Sequence, residues 1–271
     1  MKKHDNFLRC LGLLILFGLL VLGCDKNARR RKELKGMKSN YTFEQPVSSD
    51  IHSIEADMKV GTILLKEGDV FMVKASYSHK QLAPEVSESD GRLMIKQSEK
   101  IKDKNLDKTV KCEVEVTCPH GMPGGKSFSN LRLFSDLGNI SVQGISSEST
   151  DLQCSVGNLK VSDSSLGKTN LLAGIGNISV ENGRYISLTV ETETGNQIIS
   201  NADFNTLDSK AELGNIRLIP LESLSEYTMD LSVSLGRITV NGEKQKSPYR
   251  TYDNGNKKIS ASSSTGNISI D

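Results

Sequence analysis

Gly138, Gly157, Gly176, Gly195 and Gly214 recur at a fixed spacing of 19 residues, and each is followed by asparagine, as Asn139, Asn158, Asn177, Asn196 and Asn215. The motif returns less regularly as Gly236-Arg237 and Gly266-Asn267, and an early copy stands at Gly61-Thr62. Such a period is the mark of one structural unit stacked on itself. Around each glycine the apolar residues alternate, which is the signature of strands with one buried face. Leu152, Cys154 and Val156 precede Gly157, with Leu159 and Val161 after it; Leu171, Ala173 and Ile175 precede Gly176, with Ile178 and Val180 after it. By the same parity Leu137, Leu213 and Leu235 point inward. The parity is kept across each glycine, so the inward face continues around a corner, where glycine tolerates positive φ.

A second punctuation follows at Gly144, Asp163, Asn182-Gly183 and Asn201, and Leu166, Tyr185 and Phe204 share a later position that predicts a third, less regular side. Two or three short strands in 19 residues are too few for a propeller blade and suit a solenoid rung. The fold class expected is therefore all-β, a parallel β-helix with rungs of about 19 residues, its corners at Gly61, Gly138, Gly157, Gly176, Gly195, Gly214, Gly236 and Gly266. A column of asparagine amides along the corners is expected to hydrogen-bond from rung to rung. The alternative is an antiparallel β-sandwich, which has no reason to keep a fixed period.

The N-terminal part of the body departs from the period. Ile54, Ala56, Met58 and Val60 lead into Gly61 like a rung, but longer strands follow, with a turn at Asp90-Gly91 and a strand from Lys111 to Thr117. A solenoid needs an atypical unit over the open end of its core, so residues 46–130 read as cap and first strands, and 131–271 as regular repeats closing with a last rung at Asp271.

Before the body lies an address. Lys2, Lys3 and Arg9 precede an uncharged, leucine-rich stretch from Cys10 to Cys24. That stretch is shorter than the roughly 20 residues a spanning helix needs and suits a signal-peptide core. Its end, Val21-Leu22-Gly23-Cys24, resembles the lipobox of bacterial lipoproteins. The resemblance implies residues 1–23 as a cleaved signal and a lipid on Cys24. Residues 24–45 read as a tether, with Arg29, Arg30, Arg31 and Lys32 at its centre. Three basic and one acidic residue in 1–24, and seven and two in 25–40, leave 24 basic and 30 acidic for the rest. A basic stalk thus carries a mildly acidic head. It either contacts anionic headgroups or serves as a solvated spacer.

Together, the strand-Gly-strand opening, the Gly91 hairpin, the strand ending Val116-Thr117-Cys118-Pro119 and the Gly-Asn-Ile-Ser-Val repeats resemble the bacterial putative-adhesin, β-strand-repeat family of unknown function. The resemblance spans residues 46–271. It implies a right-handed parallel β-helix displayed on the cell envelope, often as a lipoprotein.

Motifs of catalysis fail on inspection. Gly121 to Ser127 invites a P-loop reading, but His120 stands where the motif needs glycine, and β-type patterning follows instead of a helix. Cys112, Cys118, His120 and Cys154 are residue types of a zinc site without its usual spacing. The three thiols read as core residues, with a disulfide the other possibility in an oxidising compartment. Glu181, Glu191, Glu193, Asp203 and Glu212 sit on outward positions where charge ordinarily means solvation. No cofactor, no metal, no catalytic residue and no nucleic-acid partner is expected; the near-zero net charge of +1 offers no basic footprint. The function expected is a lipid-anchored envelope protein, held to its membrane by the N-terminal lipid, whose β-helix binds or scaffolds an unknown protein or glycan. The alternatives are a stress or signalling accessory docking on a membrane protein and, further off, a polysaccharide-active enzyme.

Overall fold

The computed structural model describes residues 41–98, 110–119, 127–251 and 255–271. The signal segment with Cys24, the tether up to residue 40, most of the charged stretch 100–111 and the run 121–126 lie outside the described residues.

Seven strands build the N-terminal part: β1 Tyr41–Pro46, β2 Ser53–Val60, β3 Thr62–Gly68, β4 Met72–Tyr77, β5 Pro84–Ser89, β6 Arg92–Gln97 and β7 Cys112–Pro119. The repeats follow as β8 Asn130–Leu137, β9 Ile140–Gln143, β10 Ser146–Val156, β11 Leu159–Ser162, β12 Ser165–Ile175, β13 Ile178–Glu181, β14 Arg184–Thr194, β15 Gln197–Leu213 and β16 Ile216–Pro220. Six more close the chain: β17 Tyr227–Leu235, β18 Ile238–Val240, β19 Glu243–Gln245, β20 Tyr249–Arg250, β21 Lys257–Thr265 and β22 Ile268–Ile270.

Two parallel ladders run the length of the molecule. On one, β8, β10, β12, β14 and the second half of β15 pair in sequence; on the other, β9, β11, β13, the first half of β15 and β16 do the same. Residues 19 apart face each other in register, as Leu152 with Leu171 and Leu171 with Val190. The solenoid, not the antiparallel sandwich, is the architecture of the repeats. Between the ladders lies one core, made by Leu133, Leu152, Leu171 and Val190 from one side and Ile140, Leu159 and Ile178 from the other. The third side is lined inside by Leu166, Tyr185 and Phe204, all buried. Asp163, Asn182 and Asn201 adopt φ of 51–53°, and Gly144 of 71°, where the chain turns between ladders. Both residues of the Asp90-Gly91 turn have positive φ, as a tight hairpin between β5 and β6 requires.

Three expectations need correction. The body starts earlier than residue 46, because β1 pairs antiparallel with β4 and Tyr41 stacks on Tyr77 at 5.5 Å. Alternation of Tyr41 and Phe43 already carries that strand's inward face. The second correction concerns residues just before the corners. Leu137, Leu213 and Leu235 share inward parity with the core yet are 37%, 52% and 68% exposed, because the strand leaves the core as it enters the corner.

The third concerns rung order. The last rung of the chain, β21–β22, is not the last of the stack: β21 lies between β15 and β17, and β22 between β16 and β18. The other end mirrors this, since β2–β3 lies between the outer β6–β7 and the inner β8–β9. Antiparallel strands finish both ends, β5 on β6 and β4 on β7 at one, β20 on β17 and β19 on β18 at the other. Such covers blunt the open edges of a stack.

Candidate binding surface

The corner glycines form a column along the solenoid. Each adopts φ between 150° and 158°. A Cβ at Gly176 would stand 1.7 Å from the Gly157 carbonyl oxygen, and one at Gly195 would stand 1.8 Å from that of Gly176. Backbone meets backbone here, so only glycine fits. Gly138 donates to Val156 O, Gly157 to Ile175 O and Gly176 to Thr194 O, all at 2.9–3.0 Å. Inside the corner, Ser135 Oγ donates to Gly61 O, Cys154 Sγ to Gly157 O and Ser263 Oγ to Gly214 O, satisfying carbonyls that turn toward the core.

Outside it runs an asparagine ladder. Asn139 Oδ1 accepts from Asn158 N at 2.8 Å and from Asn158 Nδ2 at 3.2 Å. Asn177, Asn196, Asn215 and Asn267 continue the pattern in that order. It ends where Arg237 N donates to Asn267 Oδ1 at 3.0 Å. A shorter copy links Asn182 Nδ2 to Asp163 Oδ1 and Asn201 Nδ2 to Asn182 Oδ1. These bonds tie each corner to the next, which gives the asparagine column a structural role.

Beside it lies a surface that parity alone misses. Val60, Leu137, Val156, Ile175, Thr194, Leu213, Thr265 and Leu235 pair from rung to rung in that order. They form an aliphatic ridge interrupted by two threonines. The usable signal is the residue immediately before each Gly-Asn, apolar in most copies and spared from burial by the corner itself.

On the third side an open groove of about 910 Å³ is lined by Ser127, Ser129, Ser146, Ser149 and Ser165, with Lys168, Arg184 and Ile186 at its margin. Asp203 also lines it, its carboxylate paired with Lys257 at 2.6 Å. Tyr185 floors the groove, its hydroxyl buried without a partner among the described residues and its pKa raised by burial.

Cys112, Cys118 and Cys154 are free and buried, and burial pushes each thiol up to about 12. They behave as small core residues, neutral at any ordinary pH. Among the described residues no group of His, Cys, Asp and Glu converges as a metal site. Glu181, Glu191, Glu193 and Glu212 are exposed on the outer faces, spread along the rungs. A buried polar cluster interrupts the core within the repeats. Gln197 stands where neighbouring rungs carry Ile178 and Ile216, and it is fully satisfied: Nε2 donates to Thr192 Oγ1 and Lys210 O, and Oε1 accepts from Ser209 Oγ at 2.5 Å.

Residues 51–271 match a known family, described as Toastrack DUF4097. The chain belongs to that family. Among curated proteins none matches the sequence. Of solved structures, a putative adhesin from Bacteroides fragilis aligns with a TM-score of 0.53 at 15% identity, over 87% of this chain and all of that one. A putative lipid binding protein from Parabacteroides distasonis gives 0.46 at 13% identity, covering 86% of this chain and 98% of its own. A putative cell adhesion protein from Clostridium sporogenes gives 0.41 at 14%, covering 85% and 98%. The first shares the fold of this Toastrack chain. Among the described residues no helix is long and apolar enough to cross a membrane.

Proposed function

We propose that this Toastrack chain is a lipid-anchored protein of the bacterial envelope, outside the cytoplasm, whose β-helix presents a binding face to a protein partner. The observation that carries the reading is the aliphatic ridge, with Leu213 and Leu235 more than half exposed beside a rigid corner column. Exposed apolar surface in line on a rigid support suits docking rather than turnover. The signal-like segment ending at Cys24 supports the anchor, and the adhesin description of the Bacteroides fragilis neighbour agrees with a binding role. A membrane protein is favoured over a glycan as the occupant, because the ridge is aliphatic, the chain has no Trp, and sugar-binding faces usually offer aromatic platforms.

Two measurements test this. Cys24→Ser should abolish lipid labelling and leave an unprocessed precursor; normal palmitate labelling of that variant sinks the anchor. A photo-crosslinking residue at Leu213 or Leu235 should capture a discrete protein in intact cells, and one at Lys160 should not. Equal capture from Lys160, or glycan in place of protein, overturns the ridge as a protein-docking face.

A further inference from the structure

Both neighbours of the C-terminal rung precede it in the chain. Residues 203–220 and 227–240 are laid down first, and Lys257–Ile270 then enters between them, hydrogen-bonded on both edges. The asparagine ladder explains why the order is not sequential. Arg237 occupies the corner position without a side-chain acceptor, so it donates the ladder's last bond from its backbone N–H and offers no acceptor to a further rung. Asn267 can do both: it donates to Asn215 Oδ1 and accepts from Arg237 N. Stacking Gly236-Arg237 directly on Gly214-Asn215 would leave Asn267 without an acceptor for its N–H. The rung also closes a charge pair, Lys257 with Asp203.

What joins this rung to the rest differs from the connections within the repeats. Residues 163–164 or 182–183 link one rung to the next, whereas 241–256 separate β18 from β21. The described part of that connection, 241–251, is largely exposed and holds to the body through short antiparallel strands, Ser247, the Arg250–Asp230 pair and the bonds between Thr251 and Met229. A terminal element with both edges paired, on a long and largely exposed connection, makes the same contacts whichever copy supplies it. We infer that β21–β22 is an exchangeable closing rung, and that its slot accepts the corresponding rung of a second copy of this chain, giving reciprocally exchanged dimers.

The test uses the full chain carrying Cys10→Ser and Cys24→Ser. Ser262 in β21 faces Ser232 in β17 across adjacent parallel strands, with side chains on the outer face. Ser232→Cys combined with Ser262→Cys in one chain should form an intrachain disulfide, which checks the rung order. Two populations with one cysteine each are then mixed, unfolded in urea, refolded together and oxidised. Exchange is expected to yield a disulfide-linked species of twice the chain mass that pairs the two populations; Ser262→Cys mixed with Lys160→Cys should stay at background. If the intrachain bond forms and the mixed populations give no dimer above that background, exchange is wrong. If the intrachain bond fails, the inserted position of the rung is wrong, and the inference falls with it.

Discussion

Adding one methyl group at a corner should be more harmful than any similar change elsewhere on the surface. In Gly176→Ala the new Cβ would lie 1.7 Å from Gly157 O, 2.6 Å from Gly157 C and 3.4 Å from Asn158 N. Comfortable contact begins near about 3.5 Å, so the two corners must part. Four hydrogen bonds cross that junction: Gly157 N to Ile175 O, Leu159 N to Asn177 O, and Asn177 N and Nδ2 to Asn158 Oδ1. Backbone strain at a φ of 152° contributes about 1–3 kcal/mol and loss of two of the bonds about 1 kcal/mol each, for a total of about 3–5 kcal/mol. Gly242 is the control, because it too has positive φ but a Cβ there meets nothing within 4 Å. Gly242→Ala should cost only about 1 kcal/mol of strain. Urea unfolding followed by circular dichroism measures both, and hydrogen exchange at the Gly157 and Leu159 amides localises the damage. Equal stability of the two variants would refute the reasoning that the corners stack backbone on backbone.

Asn177→Ala removes the acceptor used by Asn196 N and Nδ2, and should cost about 1–2 kcal/mol in the same urea titration, less than Gly176→Ala. Gln197→Leu strands the Ser209 hydroxyl and the Lys210 carbonyl at a cost of about 2–3 kcal/mol, and adding Ser209→Ala should return part of it. A double-mutant cycle with purely additive losses would contradict that coupling. The three thiols titrate near 9.0 when unfolded and near 12 in the fold. Stability from this source is therefore complete below pH 9 and is lost as pH rises from 9 toward 12, because the unfolded chain releases its thiol protons first. Replacing Cys154 by Ala should make that alkaline limb of melting temperature against pH shallower, with Cys112 and Cys118 keeping the rest; an unchanged limb would show that the Cys154 thiol is not a cause.

The fold was legible wherever geometry forces a residue type. A corner whose next-door carbonyl occupies the Cβ position admits only glycine, so Gly138 to Gly214 announce the rung length directly. The ladder needs a short side chain that both donates and accepts, and asparagine supplies it. Rung order was less legible, since alternation states that a strand has an inward face but not which strand lies beside it. Arg237 was the available signal, as a residue that can only end the ladder. The ridge was hidden for a different reason: Leu213 and Leu235 obey the inward parity, and only the geometry of the corner lifts them out. Cys24 and the tether up to residue 40 rest on sequence alone.

Whole-rung deletion tests the central claim, that 19-residue units stack in parallel and touch only their neighbours. Removing residues 158–176 joins Gly157 to Asn177, restores a corner and leaves Asn177 facing Asn139. The shortened stack should fold with a modest loss of melting temperature. Removing residues 158–167 takes ten residues, destroys the corner, and should unfold that region or drive aggregation through bare strand edges. Thermal unfolding of the two variants side by side decides the matter: cooperative melting near the parent for the 19-residue deletion alone is the result expected, and equal collapse of both would contradict the stacked-rung account.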